Sequence, residues 1–193
     1  MKIALIYPSF GVVSVVNQPN IKAVADNYGI YPNISLAYVA GALQKAGHEL
    51  IFLDAMASEY SLNDMAARVK KFNPDIMMFT ITTYLFHETI KVIDYFRKIS
   101  SAKVIVGGQH VTLFPKETLL KKEIDIGIVG EAEETVVELL EAIEKNKNIK
   151  NIRGICCREK EKIVLTMQRE KIKNLDTVPF PARNLLPMNK YYS

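Results

Sequence analysis

The residues in this 193-residue sequence whose chemistry needs placing are three histidines, two adjacent cysteines, and several hydroxyls and glycines at the ends of apolar runs. Cys156 and Cys157 stand side by side, a spacing that suits neither a disulfide framework nor a C-x-x-C metal or redox site, so they read as ordinary residues of one strand. His48 precedes a strand and His87 opens a helix, which makes both surface or turn residues. Only His110 lies in a loop of interest, and no H-x-x-x-H or cysteine cluster supplies it with partners for zinc. The phosphate cradle G-x-x-x-x-G-K-S/T and the dinucleotide fingerprint G-x-G-x-x-G are both missing. What remains is Thr80, Thr82 and Thr83, then Gly107-Gly108-Gln109-His110-Val111-Thr112, then Gly130-Glu131-Ala132-Glu133, each following a strand-like run. Hydroxyls can meet a ligand's polar groups, and paired glycines let a backbone approach it closely. Each feature also has a plainer reading: threonines are β formers, two glycines make a tight turn, and carboxylates favour a helix N-terminus. Taken together they suit a large ligand held by backbone groups and hydroxyls better than a reaction carried by protein side chains.

Those loops are placed by alternating β-type and helix-type segments. Lys2 to Tyr7, Glu49 to Asp54, Asp75 to Thr80, Lys103 to Gly107 and Asp125 to Val129 are short and nearly continuously apolar, as strands buried on both faces must be. Between them lie amphipathic segments at 34–45, 62–72, 86–99 and 133–145, with Leu36, Val39, Ala40 and Leu43 at helical spacing in the first. The alternation predicts an α/β fold, a flavodoxin-like, doubly wound sheet of five parallel strands over residues 1–147. In such a sheet ligands bind beyond the carboxyl ends of the strands, where the three loops converge. The connection from Pro8 to Pro32 has no convincing regular element and is expected to cover the site. Residues 148–193 depart from the pattern. Ile152 to Arg158 and Ile163 to Met167 flank a polar turn and read as a β-hairpin, and the two prolines of Val178-Pro179-Phe180-Pro181 predict an extended linker.

Composition narrows the classes further. With 49% hydrophobic and 24% charged residues, the chain is neither disordered nor fibrous. Its longest apolar stretch, Ile76 to Phe86, is interrupted by threonines and falls short of the roughly 20 residues of a membrane span. No signal-peptide cleavage site follows Met1 to Phe10, so the expected location is cytoplasmic, with no membrane partner. The net charge of +4 hides an asymmetry: residues 1–144 hold 13 Lys/Arg against 17 Asp/Glu, and residues 145–193 hold 12 against 4. The basic charges are interleaved with apolar residues and not gathered into a run, which argues against nucleic acid and for a solvated or domain-packing surface.

Four motifs occur in one order: Tyr31-Pro-Asn-Ile-Ser-Leu-Ala-Tyr-Val-Ala-Gly-Ala-Leu-Gln-Lys-Ala-Gly-His-Glu-Leu, Gly107-Gly-Gln-His-Val-Thr, Val129-Gly-Glu-Ala-Glu-Glu-Thr and Leu175-Asp-Thr-Val-Pro-Phe-Pro-Ala-Arg. In this the chain resembles the N-terminal cobalamin-binding domain of B12-dependent radical SAM enzymes, and the resemblance covers nearly the whole sequence. It implies a Rossmann-like domain that presents cobalamin to a C-terminal radical SAM domain in cis. That partner's C-x-x-x-C-x-x-C motif holds a [4Fe-4S] cluster and uses S-adenosylmethionine, and the motif is not found here. The resemblance thus implies the binding part of an enzyme, a methyltransferase in the family's sense, that is not expected to be active alone.

Where methionine-synthase-type and mutase-type domains carry D-x-H-x-x-G after the first strand, Tyr7-Pro-Ser-Phe-Gly stands instead. The implied cofactor is base-off, without that lower axial histidine. By the same resemblance, Thr80 with Thr82, and Gly107 with Gly108, would line the channel of the nucleotide tail, with Thr83 a further cofactor-binding candidate. Gln109, His110, Thr112, Gly130 and Glu131 border the corrin or tail, and Ser9 and Phe10 lie beneath the corrin. Two other readings stay open: a cofactor-free docking or receiver-like module, for which Asp54 stands alone, and a flavin- or nucleotide-binding flavodoxin-like domain.

Overall fold

The computed structural model describes residues 1–8 and 29–192. Its centre is five parallel strands, β1 (Lys2–Tyr7), β2 (Glu49–Asp54), β3 (Ile76–Thr80), β4 (Lys103–Gly107) and β5 (Ile126–Ile128), in the order β2-β1-β3-β4-β5. These are the expected five, in the flavodoxin-like order. In β1, Ile3, Ala4, Leu5 and Ile6 are all fully buried, because both sheet faces are covered. The pleat divides them: Ile3 and Leu5 join the core on one face, Ala4 and Ile6 that on the other.

The helices are α1 (Ile34–Lys45), α2 (Ala55–Ser58), α3 (Leu62–Phe72), α4 (Phe86–Arg97), α5 (Gln109–Leu113), α6 (Pro115–Leu119) and α7 (Glu133–Glu144). Leu36 and Leu43 of α1 and Leu139 and Leu140 of α7 share one core with Ile105 and Ile128. Met65 and Val69 of α3, Ile93 and Phe96 of α4, and Leu119 of α6 fill the opposite core with Val104 and Val106. Local chemistry sets the boundaries. Asn33 caps α1 by accepting the Leu36 N–H at 3.0 Å, and a reciprocal Ser61–Asp64 capping box starts α3.

The expected hairpin forms as β6 (Ile155–Glu159) and β7 (Lys162–Leu165), but it does not stand apart. β6 pairs antiparallel with β5, Ile128 opposite Ile155 and Ile126 opposite Cys157, so the sheet has seven strands. Without β6, the three-residue β5 would leave an unpaired edge beside a buried core. Gly127 makes the pairing possible, since a Cβ there would stand 2.5 Å from the Cys156 sulfur and 2.9 Å from Val111. Adjacent strand residues face opposite ways, so Cys156 and Cys157 enter different cores. Burial pushes the Cys156 thiol up to about 12, which leaves it inert at ordinary pH.

The segment expected as a linker folds back on the domain. Ala182 donates its N–H to the Ala37 carbonyl at 2.9 Å, and Ala182 and Leu186 are buried in the α1/α7 core. The Phe180 carbonyl lies so close to Gly41 that no Cβ could be accommodated there, which explains a glycine inside a helix. The chain then returns to the carboxyl ends of β1 and β2. There the Tyr191 hydroxyl donates to Asp54 at 2.7 Å, and Tyr192 exchanges backbone hydrogen bonds of 2.8 and 3.0 Å with Ile30. Among the described residues no helix is long and apolar enough to cross a membrane.

Candidate functional site

A cleft of about 670 Å³ opens at the carboxyl ends of β3, β4 and β5, on the face shared by α1 and α7. Its position follows from the pleat. Thr80 pairs in register with Gly107, and Met78 with Ile105, so Met78, Thr80, Gly107 and Ile128 present the same face at the rim. Leu36 and Val39 of α1 form one apolar wall, and the start of α7 at Ala132 and Glu133 forms another. The outer side is closed by residues 168–171.

The two adjacent glycines serve different ends. Gly108, at φ 104° and ψ −177°, occupies a region of backbone space that is essentially glycine-only. A Cβ there would also stand 2.7 Å from the Ile81 carbonyl oxygen and 2.8 Å from the Thr80 hydroxyl. Gly108 is therefore required by the tight passage of two loops, the plainer of its two readings. Gly107 has no such constraint. A Cβ on it would meet only the Ile128 Cβ, at 3.9 Å, and project into the cleft. Gly130, at φ 87°, has nothing within 4 Å of a built Cβ and leaves the opposite lip open.

Thr112 joins these loops by accepting the Gly130 N–H at 3.0 Å and donating to the Gly108 carbonyl at 3.1 Å. Glu131 accepts the Ile172 N–H at 2.7 Å and so fastens the segment that follows β7. Arg169 in that segment pairs with Glu134 at 3.8 Å and with Glu138 of α7. Its Nε is buried and finds no partner among the described residues.

Of the residues singled out from sequence, the structure brings Thr80, Gly107, Gly108, Gln109, Thr112, Gly130 and Glu131 to this cleft. Thr82 and Thr83 are exposed on the rim outside it. His110 does not line the cleft either. It is 3% exposed, stacks on Phe86 with ring centroids 4.1 Å apart, and meets the Thr83 hydroxyl at 3.2 Å. Burial lowers its pKa and favours the neutral imidazole. Ser9 and Phe10 lie outside the described residues. Met78, Ile128 and residues 168–171 were not legible as site residues. The first two look like any core residue, and the last carry no periodic pattern. One signal was available: a two-stranded antiparallel excursion must return the chain to the rim from which it left.

Asp54 is buried at the end of β2 with both oxygens engaged, one by the Ala57 N–H at 2.9 Å and the other by Tyr191. Burial and this carboxylate raise the Tyr191 pKa, so the phenol stays protonated.

The B12 binding domain family model matches residues 21–140. An uncharacterized methyltransferase of Pyrococcus horikoshii is 34% identical over 193 residues, covering 99% of this chain and 40% of its own length. The anaerobic magnesium-protoporphyrin IX monomethyl ester cyclase of Cereibacter sphaeroides is 30% identical over 162 residues, covering 80% of this chain and 26% of its own. This chain thus spans well under half of either relative. Among solved structures, the radical S-adenosylmethionine methyltransferase TsrM from Kitasatospora setae, with cobalamin and a [4Fe-4S] cluster bound, superposes with a TM-score of 0.70 at 17% identity. The superposition covers 90% of this chain and 30% of TsrM. The cobalamin-dependent S-adenosylmethionine radical enzyme OxsB, with aqua-cobalamin and S-adenosylmethionine bound, gives a TM-score of 0.72 at 13% identity, over 94% of this chain and 24% of OxsB. These two share the fold. The family match runs from before α1 into α7 and takes in the loops after β3, β4 and β5 that build the cleft, so the chain belongs to the B12-binding domain family.

Proposed function

We propose that this chain holds base-off cobalamin at the carboxyl edge of its sheet, as the cofactor-binding part of a radical SAM enzyme whose reaction is a methyl transfer. The observation that carries the reading is the cleft, kept open beside a strand end by a glycine with no backbone need to be one. Its volume of about 670 Å³ falls within the roughly 300–1,000 Å³ of small-molecule sites, and its walls are mainly apolar with a few convergent polar groups. That composition fits a benzimidazole nucleotide tail. Leu36, Val39, Met78 and Ile128 would receive the ring, while Thr80 and the backbone of Gly107, Gly108 and Gly130 would meet its polar groups. Lys171 supplies a cation at the wall.

None of the three histidines lines the cleft, so its walls would hold the tail by apolar contacts, hydrogen bonds and the Lys171 charge alone. Cobalamin, when bound, would supply the methyl-transfer chemistry. The chain's own part is to bury the tail, orient the macrocycle above the rim and exclude water. In this reading residues 1–147 are the cobalamin-binding unit. Residues 148–193 complete its sheet and lead to a radical SAM domain in cis, which holds the [4Fe-4S] cluster and S-adenosylmethionine. The relative named a methyltransferase supports the methyl transfer, and the larger TsrM and OxsB, named as radical S-adenosylmethionine enzymes, support the wider setting. A receiver-like role is disfavoured, because neither oxygen of Asp54 is free.

The test is to incubate the purified chain with hydroxocobalamin and follow the visible spectrum through gel filtration, with FMN and nucleotides in parallel thermal-shift assays. Cobalamin should co-elute and raise the melting temperature, whereas the others should not. After reduction to the cob(II) form, the electron paramagnetic resonance spectrum should lack axial-nitrogen splitting. Folded protein that retains no corrinoid contradicts the reading.

A further inference from the structure

The outer wall of the cleft is made by residues that follow the hairpin, well beyond the segment matched to the family. β6 starts at the carboxyl rim, where Ile155 sits opposite Ile128, and runs away from it. β7 returns, with Leu165 opposite Cys156, and the Gly154 N–H accepted by the Met167 carbonyl at 2.8 Å holds the exit at the rim. The next residues, 168–171, cross the mouth of the cleft. Two attachments hold this strap from the side of α7: the Glu131 carboxylate receives the Ile172 N–H, and Arg169 is paired with Glu134 and Glu138. Glu131 lies just before α7 and Glu134 and Glu138 in its first turns, so the strap is fixed relative to the cleft's inner wall, and Arg169 also passes close to Gly154, where a built Cβ would stand 3.3 Å from the Arg169 Cβ.

We propose that residues 168–171 contact the cofactor's nucleotide tail, with Lys171 as a binding residue and Glu131 and Arg169 as the positioning residues that hold the strap across it. The proposal rests on the cobalamin reading and extends the site to a part of the chain that reads, from sequence, as connection only. Three observations converge. The strap lines the same cleft as Gly107 and Thr80; the Arg169 guanidinium anchors it by turning to Glu134 and Glu138, which border a second cavity between α1 and α7; and the carboxylate of Glu131 is engaged by the strap's own backbone. Lys171 lines the cleft, makes no ion pair among the described residues, and carries an ammonium suited to the phosphodiester oxygens of a nucleotide tail.

The experiment is limited trypsin digestion of the chain, with and without saturating hydroxocobalamin, read by mass spectrometry at Lys171 and Lys173. Lys160, in the hairpin turn at the far edge of the sheet, is the internal control. Cobalamin should slow cleavage at Lys171 and Lys173 by about tenfold and leave Lys160 unchanged. In spectral titrations, Glu131→Ala should weaken cobalamin about tenfold and abolish the protection, as loss of one hydrogen bond to a charged group implies. Glu131→Gln keeps a carbonyl acceptor for Ile172 and should restore most of both. Wild-type protein that binds cobalamin yet is cleaved equally fast at Lys171 overturns the strap proposal alone. Wild-type protein that binds no cobalamin overturns the reading beneath it.

Discussion

Gly107→Leu is expected to weaken cobalamin binding by at least about 100-fold, roughly 3 kcal/mol, while leaving the melting temperature within a few degrees of wild type. The residue sits at the end of β4 with an ordinary strand backbone, so a side chain introduces no conformational strain. The nearest atom to its Cβ is the Ile128 Cβ at 3.9 Å, an ordinary contact. Everything beyond that Cβ enters the space between α1 and the start of α7. Gly107→Ala provides the graded case, with a smaller loss of affinity. Spectral titration measures the first effect and thermal unfolding the second. A leucine variant that binds cobalamin like wild type would show that the cleft does not hold the tail.

Gly108→Ala should act in the opposite manner, on the fold before the ligand. At φ 104° and ψ −177° the residue lies where non-glycine residues cost about 1–3 kcal/mol. Its Cβ would stand within 3 Å of the Ile81 carbonyl oxygen, the Ile81 nitrogen and the Thr80 hydroxyl. The first two are backbone atoms and cannot swing aside, so overpacking adds to the strain. A total near 3 kcal/mol corresponds to a fall in Tm of roughly 6–12 °C for a domain of this size. Relief would have to come from moving the end of β3 and the loop that follows it, where Thr80 borders the cleft. Cobalamin affinity should therefore drop as well. Calorimetry checks the stability, and unchanged Tm would contradict the close approach.

The two glycines also mark what could be read from the chain. Strand positions were legible because a strand buried on both faces must be continuously apolar, and β1 to β5 are. The convergence of the three loops followed from parallel connectivity, and most of the residues named in them do line the cleft. Thr82, Thr83 and His110 fall outside it for one reason: the chain turns at Ile81 to begin the path into α4, and α5 carries His110 onto Phe86 and not toward α1. A loop's sequence gives its place at the rim but not the sheet face to which each side chain turns. The pairing of β6 with β5 was hidden because the cue lies in the partner edge, a three-residue strand whose Gly127 accommodates Cys156. The strap at 168–171 and the return of the C-terminal segment over α1 depend on contacts distant in sequence. The single local sign of the latter was Gly41, a glycine inside a strongly helical pattern.

The account stands on the tail, and not the corrin ring, being the part of the cofactor that this domain grips. The direct measurement is the ratio of dissociation constants for aquocobalamin and for cobinamide, which carries the same corrin but lacks the nucleotide tail. A filled cleft predicts that cobalamin binds at least about 100-fold more tightly, and that Gly107→Leu erases the difference by weakening cobalamin alone. Equal affinities for the two corrinoids in the wild-type chain would contradict it.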